Sequence, residues 1–176
     1  MKPLPITVVF FKILSVIFLS CSSLEGALHI TEFMASNNES IEDEDGDASD
    51  WIEIFNSGSE PVSLDGYFLT DDSGALTKWK FPSIEISNSG FLLIFASEKD
   101  RRDPRAELHT NFKLSGKGEY LALVESDGNT IVAEFGSGDA PLPVQYEDIS
   151  YGLMQGGGLV PTVLIGSQQE VKVLVP

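Results

Sequence analysis

Carboxylates supply the most concentrated chemistry in this chain. The segment 39–50 is its densest acidic cluster and has a glycine, Gly46, near its centre. Calcium prefers several oxygen ligands, which carboxylates around a glycine turn can provide. An EF-hand with Gly46 at its sixth position would require acidic ligands where Ile41 and Ile52 stand, so the segment is not an EF-hand. The sequence favours a solvated loop over a weak calcium site. The ligands of that calcium site would be Asp43, Asp45, Asp47 and Asp50.

A basic cluster at residues 99–105 interrupts this otherwise acidic chain. Its interleaved aspartates and Pro104 indicate a solvated loop with local ion pairs, each worth less than about 1 kcal/mol. The alternative is a surface that docks an acidic partner. The partner-binding residues would be Arg101, Arg102 and Arg105.

Other patterns that could support catalysis or metal binding are weak. His29 and His109 lie far apart and lack a nearby cysteine or a His-x-x-His spacing, so we expect structural roles for both. No Gly-x-Ser-x-Gly motif, phosphate-binding loop or thiol nucleophile is found. The chain is therefore predicted not to be an enzyme and to need no cofactor. A rival hypothesis, a secreted hydrolase that uses carboxylates, requires a convergent acidic cleft with raised pKa values.

The charge balance limits the partners. The chain has 27 acidic and 11 basic residues, a formal charge of −16. Nucleic-acid binding depends on basic side chains that displace counterions, so a nucleic-acid partner is not expected. The expected partner is a protein or a glycan of unknown identity.

The first 27 residues are predicted to be a signal peptide. The apolar stretch at residues 13–19 is shorter than the roughly 20 residues that span a bilayer. Cys21, the only cysteine, follows this stretch in a position that resembles a bacterial lipobox, although Phe18 stands where leucine is usual. Cleavage by ordinary signal peptidase is the alternative. Lipidation and ordinary cleavage both predict a secreted, periplasmic or cell-surface protein. A lipid on Cys21 is the only membrane contact that we expect.

From Leu28 onward, short apolar runs alternate with turn-forming clusters, which predicts an all-β sandwich or barrel. The turn at residues 126–129 predicts a β-hairpin. In its second strand, Ile131, Ala133 and Phe135 are predicted to share one face. The predicted strands are 28–34, 51–55, 67–70, 91–96, 120–124, 130–135 and 149–153, with shorter candidates at 62–64 and 79–81.

The predicted sandwich domain spans residues 28–155, and residues 156–176 form a C-terminal tail. Gly156 to Gly158 end the regular pattern, and residues 170–176 are predicted to be one more strand. Two interpretations stay open. The tail is either the start of a further, truncated β domain or a strand that pairs with the edge of the sandwich.

Several segments, in this order, resemble the lamin tail domain family. Residues 50–56, Asp-Trp-Ile-Glu-Ile-Phe-Asn, resemble the most distinctive strand of that family. Residues 28–37 resemble its opening strand, and residues 62–72 its Leu-x-Gly-aromatic turn. The other matching segments are 79–82, 90–96, 108–115 and 118–123.

This resemblance covers about residues 28–153 and is to the bacterial, exported members, because no heptad rod precedes the domain. It implies an immunoglobulin-like antiparallel β-sandwich without catalytic residues. It also implies a role in adhesion, anchoring or recognition within a larger multidomain protein. The alternatives are a calcium-assisted carbohydrate-binding module and an accessory domain of a secreted hydrolase.

Overall fold

The computed structural model describes residues 28–136, 144–153 and 161–164. The predicted signal peptide, including Cys21, lies outside the described residues, as does most of the predicted tail. The described part is built from strands and turns, with no helix, which confirms the all-β prediction. Within that part, no helix is long and apolar enough to span a bilayer.

Twelve strands follow one another along the described chain. The first six are β1 (Leu28–Met34), β2 (Asp50–Asn56), β3 (Val62–Ser63), β4 (Phe68–Thr70), β5 (Trp79–Lys80) and β6 (Glu85–Ile86). The other six are β7 (Phe91–Ala96), β8 (Leu108–His109), β9 (Leu121–Val124), β10 (Ile131–Phe135), β11 (Ser150–Leu153) and β12 (Pro161–Leu164).

The strands form one large sheet, one smaller sheet and a short two-stranded pair. The large sheet has the order β12-β11-β1-β2-β7-β8 and the smaller sheet the order β10-β9-β4-β5, while β3 pairs with β6. Neighbouring strands are antiparallel except β7 and β8, which run parallel. A sandwich of two such sheets must bury one face of each.

The core lies between the large and the smaller sheet. Alternate residues of β2 and β7 point into it, because successive side chains of a strand face opposite sides. Phe33 of the large sheet contacts Phe135 of the smaller sheet, with ring centroids 5.1 Å apart. The fully buried core side chains include Ile30, Ile52, Ile54 and Ile94 from the large sheet and Leu69, Trp79, Leu121 and Leu123 from the smaller one. The predicted immunoglobulin-like sandwich is confirmed.

Short strands and one bulge account for the differences from the sequence-based strands. The two-residue strands β6 and β8 were not predicted, because so few residues carry no recognisable alternation. In the confirmed hairpin of β9 and β10, the register shifts between Ile131 and Ala133. This bulge leaves Ile131 41% exposed, so it does not share the buried face predicted for it.

Strand β12 falls within the segment assigned to the tail. Its backbone pairs with β11 from Ser150 opposite Leu164 to Leu153 opposite Pro161, and so extends the large sheet by one strand. The predicted strand at residues 170–176 lies outside the described residues.

Candidate functional site

The outer face of the large sheet, which points away from the core, also carries apolar side chains. In β2, Ile52 and Ile54 face the core, so Trp51, Glu53 and Phe55 face outward. Their direct partners on β7, in the same order, are Phe95, Leu93 and Phe91. On β1, the outward residues opposite Phe55, Glu53 and Trp51 are His29, Glu32 and Met34.

One end of this outer face is covered. Met34, Trp51 and Phe95 are almost fully buried and form a cluster separate from the main core. The His109 ring stacks on Phe95 with centroids 5.4 Å apart and is itself fully buried. Glu44 of the loop between β1 and β2 reaches within 3.9 Å of His109 Nε2. Glu44 therefore brings the acidic loop, residues 35–49, next to His109 at this end of the sheet.

Hydrogen bonds inside the acidic loop give it a defined shape. The Asn37 side-chain amide donates to the carbonyl oxygen of Ser49 at 2.9 Å. The buried Asp43 carboxylate accepts hydrogen bonds from the backbone N–H groups of Asp45 and Asp47, at 3.0 and 3.1 Å, and from the Ser49 hydroxyl at 2.9 Å. A carboxylate that satisfies several donors of its own loop holds the turn together, as in an Asx turn.

A lysine from the end of β7 reaches into the acidic loop. Lys99 Nζ lies 2.7 Å from Asp43, 2.7 Å from Asp45 and 2.9 Å from Asp47. Carboxylate oxygens of these three residues, the aspartate triad, lie within 4.8 Å of one another, which is a spacing that could hold a metal ion. The Lys99 ammonium already contacts all three. Calcium would have to displace it, and titration calorimetry with calcium tests that interpretation.

Arg101 adds a second link between the same two segments. Its Nη1 lies 2.6 Å from Glu44 Oε1 and its Nη2 lies 2.7 Å from Asp45 Oδ2. The Arg101 carbonyl oxygen accepts a hydrogen bond from the His109 N–H at 2.9 Å, which fixes its backbone next to β8. Lys99 and Arg101 with their acidic partners form the Lys99 network. This network joins the acidic loop to the segment after β7.

The pKa directions match a tightly paired network. Burial alone would raise the pKa of Asp43, but hydrogen bonds from Lys99, Ser49 and the loop backbone outweigh burial and hold this pKa well below its usual value. For Lys99, desolvation lowers the pKa, and the contacts with the three aspartates raise it to a net value above its usual range. The two groups therefore stay charged across the physiological pH range.

Ser97, His109 and Glu44 have the residue types of a hydrolytic triad but not its geometry. The Ser97 hydroxyl lies 2.8 Å from His109 Nδ1, and both residues are buried. The 3.9 Å between His109 Nε2 and Glu44 exceeds a hydrogen bond, and Arg101 already contacts that carboxylate oxygen. Burial lowers the pKa of His109, which favours a neutral ring packed on Phe95. The arrangement indicates the structural role predicted for His109.

The three predicted partner-binding arginines each pair with different acidic residues. Arg101 faces the acidic loop. Arg102 pairs with Asp100 at 2.7 Å and lies over the Trp79 ring, 5.6 Å from its centre. Arg105 contacts Asp103 at 2.8 Å and is 86% exposed. The local pairs expected for this segment are present, and Arg105 is the arginine most accessible to a partner.

The fourth predicted calcium ligand, Asp50, lies apart from the aspartate triad. Its carboxylate accepts a hydrogen bond from the Asn37 N–H at 3.3 Å, where the acidic loop leaves β1. Burial raises its pKa. The structure thus brings together three of the four predicted ligands, and it adds Lys99, which the sequence analysis did not single out. The signal for Lys99 was an isolated basic cluster in a chain with a large excess of carboxylates.

The other end of the outer face is open to solvent. Phe55 and Phe91 stack with centroids 4.5 Å apart, and Phe91 is 51% exposed. Next to them, Glu32 and Glu53 stand directly opposite each other on neighbouring strands and are only partly buried. We call this surface the open strip. It consists of His29, Glu32, Glu53, Phe55, Phe91 and Leu93.

Two mainly antiparallel sheets around one core, with polar loops and an accessible sheet face, define an immunoglobulin-like β-sandwich domain. The sequence model of the Lamin Tail Domain family matches residues 22–139, more than half of the chain. The chain belongs to the lamin tail domain family, as the sequence motifs predicted. No curated protein matches it. Strands β11 and β12 lie beyond the matched residues and complete the large sheet.

Proposed function

We propose that this chain is an exported, non-catalytic interaction or adhesion module that belongs to a larger surface or secreted protein. It acts through the exposed part of its sandwich, with no chemical step of its own. The observation that supports this proposal best is the open strip, because an accessible aromatic pair on a sheet face is typical of a surface that meets a partner.

Export is the part of the proposal that rests on sequence alone. The apolar stretch at residues 13–19 and Cys21 support it. To test export, a phosphatase that is active only outside the cytoplasm is fused to the chain after Pro176. We expect activity with the full chain and none when residues 1–27 are deleted. Equal activity of the two fusions contradicts export, and mass spectrometry of Cys21 distinguishes lipidation from simple cleavage.

The hydrolase alternative has one observation in its favour. Burial raises the pKa of both Asp50 and Glu119, and the charge of Asp50 adds to the rise at Glu119. However, each carboxylate accepts a backbone N–H, Asp50 from Asn37 and Glu119 from Ser115, so each already fixes a turn. We therefore assign both to the structure of the loops.

A substrate screen separates the two functions. We expect no turnover when the purified full chain is incubated with chromogenic glycosides and esters. Turnover that Glu119→Gln abolishes, while Glu125→Gln leaves it intact, would establish the hydrolase instead. The matched control is suitable because Glu125 lies after β9, at the other end of that strand from Glu119.

A further inference from the structure

The open strip combines an exposed apolar platform with two adjacent carboxylates. Phe55 and Phe91 form a stacked apolar platform. The next outward-facing positions are Glu32 of β1 and Glu53 of β2, which lie directly opposite each other. Like charges directly opposite each other on neighbouring strands are destabilising.

Hydroxyl groups satisfy these two carboxylates in part. Thr31, in the bulge of β1, donates its hydroxyl hydrogen to Glu53 at 2.7 Å, and the Ser150 hydroxyl donates to Glu32. Among the residues that the structure describes, neither glutamate forms an ion pair. Hydroxyl donors orient the carboxylates but leave both negative charges in place.

The covered end of the same face shows adjacent carboxylates that are paired with cations. There, Lys99 and Arg101 reach across to the aspartate triad and Glu44. At the open strip, no described cation reaches Glu32 or Glu53. Within the part of the chain that the structure describes, this pair of carboxylates therefore lacks a cationic partner, and a basic group of another molecule could supply one.

We propose that the open strip binds a basic segment of a protein partner, with a lysine or arginine side chain between Glu32 and Glu53 and an apolar neighbour on Phe55 and Phe91. The inference rests on the proposed interaction function and names its partner class. Carboxylates hold the cationic head group, while the aromatic faces accept its alkyl stem or an adjacent apolar side chain. The strands β1, β2 and β7 are paired on both sides, so recognition uses side chains and not strand addition.

The test titrates the isotope-labelled full chain with a short, blocked peptide of alternating leucine and arginine at low salt, and follows amide shifts by NMR. We expect shifts centred on the open strip that weaken as salt is added. A matched peptide of alternating leucine and glutamate should cause none. Shifts that the two peptides share, or shifts centred on other surfaces, would contradict the proposal.

Paired variants separate specific recognition from general attraction to an acidic protein. Glu32→Gln combined with Glu53→Gln should weaken peptide binding at least about tenfold. The control, Glu39→Gln with Glu42→Gln, removes the same charge from the exposed part of the acidic loop and should leave binding unchanged. Equal loss of peptide binding in both double variants would overturn the proposal. The export assay does not depend on this result, so a failure of the proposed export can be distinguished from a failure of peptide binding.

Discussion

Both ends of the outer sheet face combine aromatic rings with carboxylates, but they differ in the burial of the rings and in the pairing of the carboxylates. At the covered end, Trp51 and Phe95 are almost fully buried, the His109 ring stacks on Phe95, and Lys99 contacts all three carboxylates of the aspartate triad. At the open strip, Phe55 and Phe91 remain accessible. One sheet therefore has one aromatic pair sealed by its own chain and a second pair available to another molecule.

This difference indicates that the acidic loop can lie against the sheet because its carboxylates are paired with cations. The acidic loop carries too many carboxylates to lie on an apolar surface alone, because a buried charge without a partner is costly. Lys99 lowers that cost for Asp43, which is the buried member of the aspartate triad. Without an equivalent lysine, the open strip has no loop over it among the described residues.

Among the charged groups, the largest expected effect on stability comes from breaking the Lys99 network. Lys99→Met should lower the free energy of unfolding by about 2–3 kcal/mol. This lies below the roughly 3–5 kcal/mol typical of a fully buried pair, because Lys99 keeps some solvent contact. Urea denaturation of the wild-type protein and of Lys99→Met measures this change in the free energy of unfolding. The control Lys113→Met removes a lysine that is 60% exposed and should change stability by less than about 0.5 kcal/mol. Equal effects would mean that Lys99 does not fasten the loop.

The pH dependence of stability sharpens the same contrast. The pKa of Asp43 is lowered, so its contribution is present above the unfolded value of about 3.9 and is lost as pH falls through the folded value. The pKa of Lys99 is raised, so its contribution is present below about 10.4 and is lost as pH rises through the folded value. The stability difference between wild type and Lys99→Met should be constant from about pH 7 to 9 and shrink in acid.

A difference that grows on acidification contradicts this assignment. Denaturation series of both proteins at matched ionic strength provide the measurement, and the Lys113→Met variant provides the baseline. Burial lowers the pKa of His109, and the charge of Lys99 adds to the lowering, so His109 causes a loss of stability below about pH 6.5 that should be smaller in Lys99→Met than in wild type.

A smaller effect is expected at the outer part of the network. Arg101 and its partners Glu44 and Asp45 are substantially exposed, so Arg101→Gln should cost much less stability than Lys99→Met. Because solvent screens exposed pairs, added salt should reduce this cost further. Thermal unfolding at low and high salt measures the loss of stability in Arg101→Gln and its dependence on salt. A cost that salt leaves unchanged would mean that Arg101 stabilises the loop by packing.

The smallest effect belongs to the open strip. Phe91→Ser removes one ring of the exposed stack and should lower stability by no more than about 0.5 kcal/mol. Trp51→Ser, at the buried end, should be far more disruptive, since large-to-small changes of buried aromatics cost about 3–5 kcal/mol. Comparable losses would show that the open strip is part of the core.

The sequence was sufficient to predict the sandwich, the family and most strands, because β1, β2 and β7 carry strong apolar patterns and recognisable motifs. It was insufficient for the site. The apolar run at residues 91–95 predicts a central strand but does not indicate that Phe91 is exposed at its end. The contact between Lys99 and Asp43 joins residues far apart in the chain, so no local spacing could reveal it. Short strands such as β8, which positions His109, leave no periodic signal.

The central claim is that one end of the outer face is sealed and the other is accessible. Hydroxyl-radical footprinting of the native full chain, with tandem mass spectrometry, tests it at single residues. We predict that Phe91 is modified while Met34 and Trp51 stay protected, and that Lys99→Met increases modification of Met34 and Trp51 without changing Phe91. Rapid modification of Met34 and Trp51 in the wild-type protein would contradict the account.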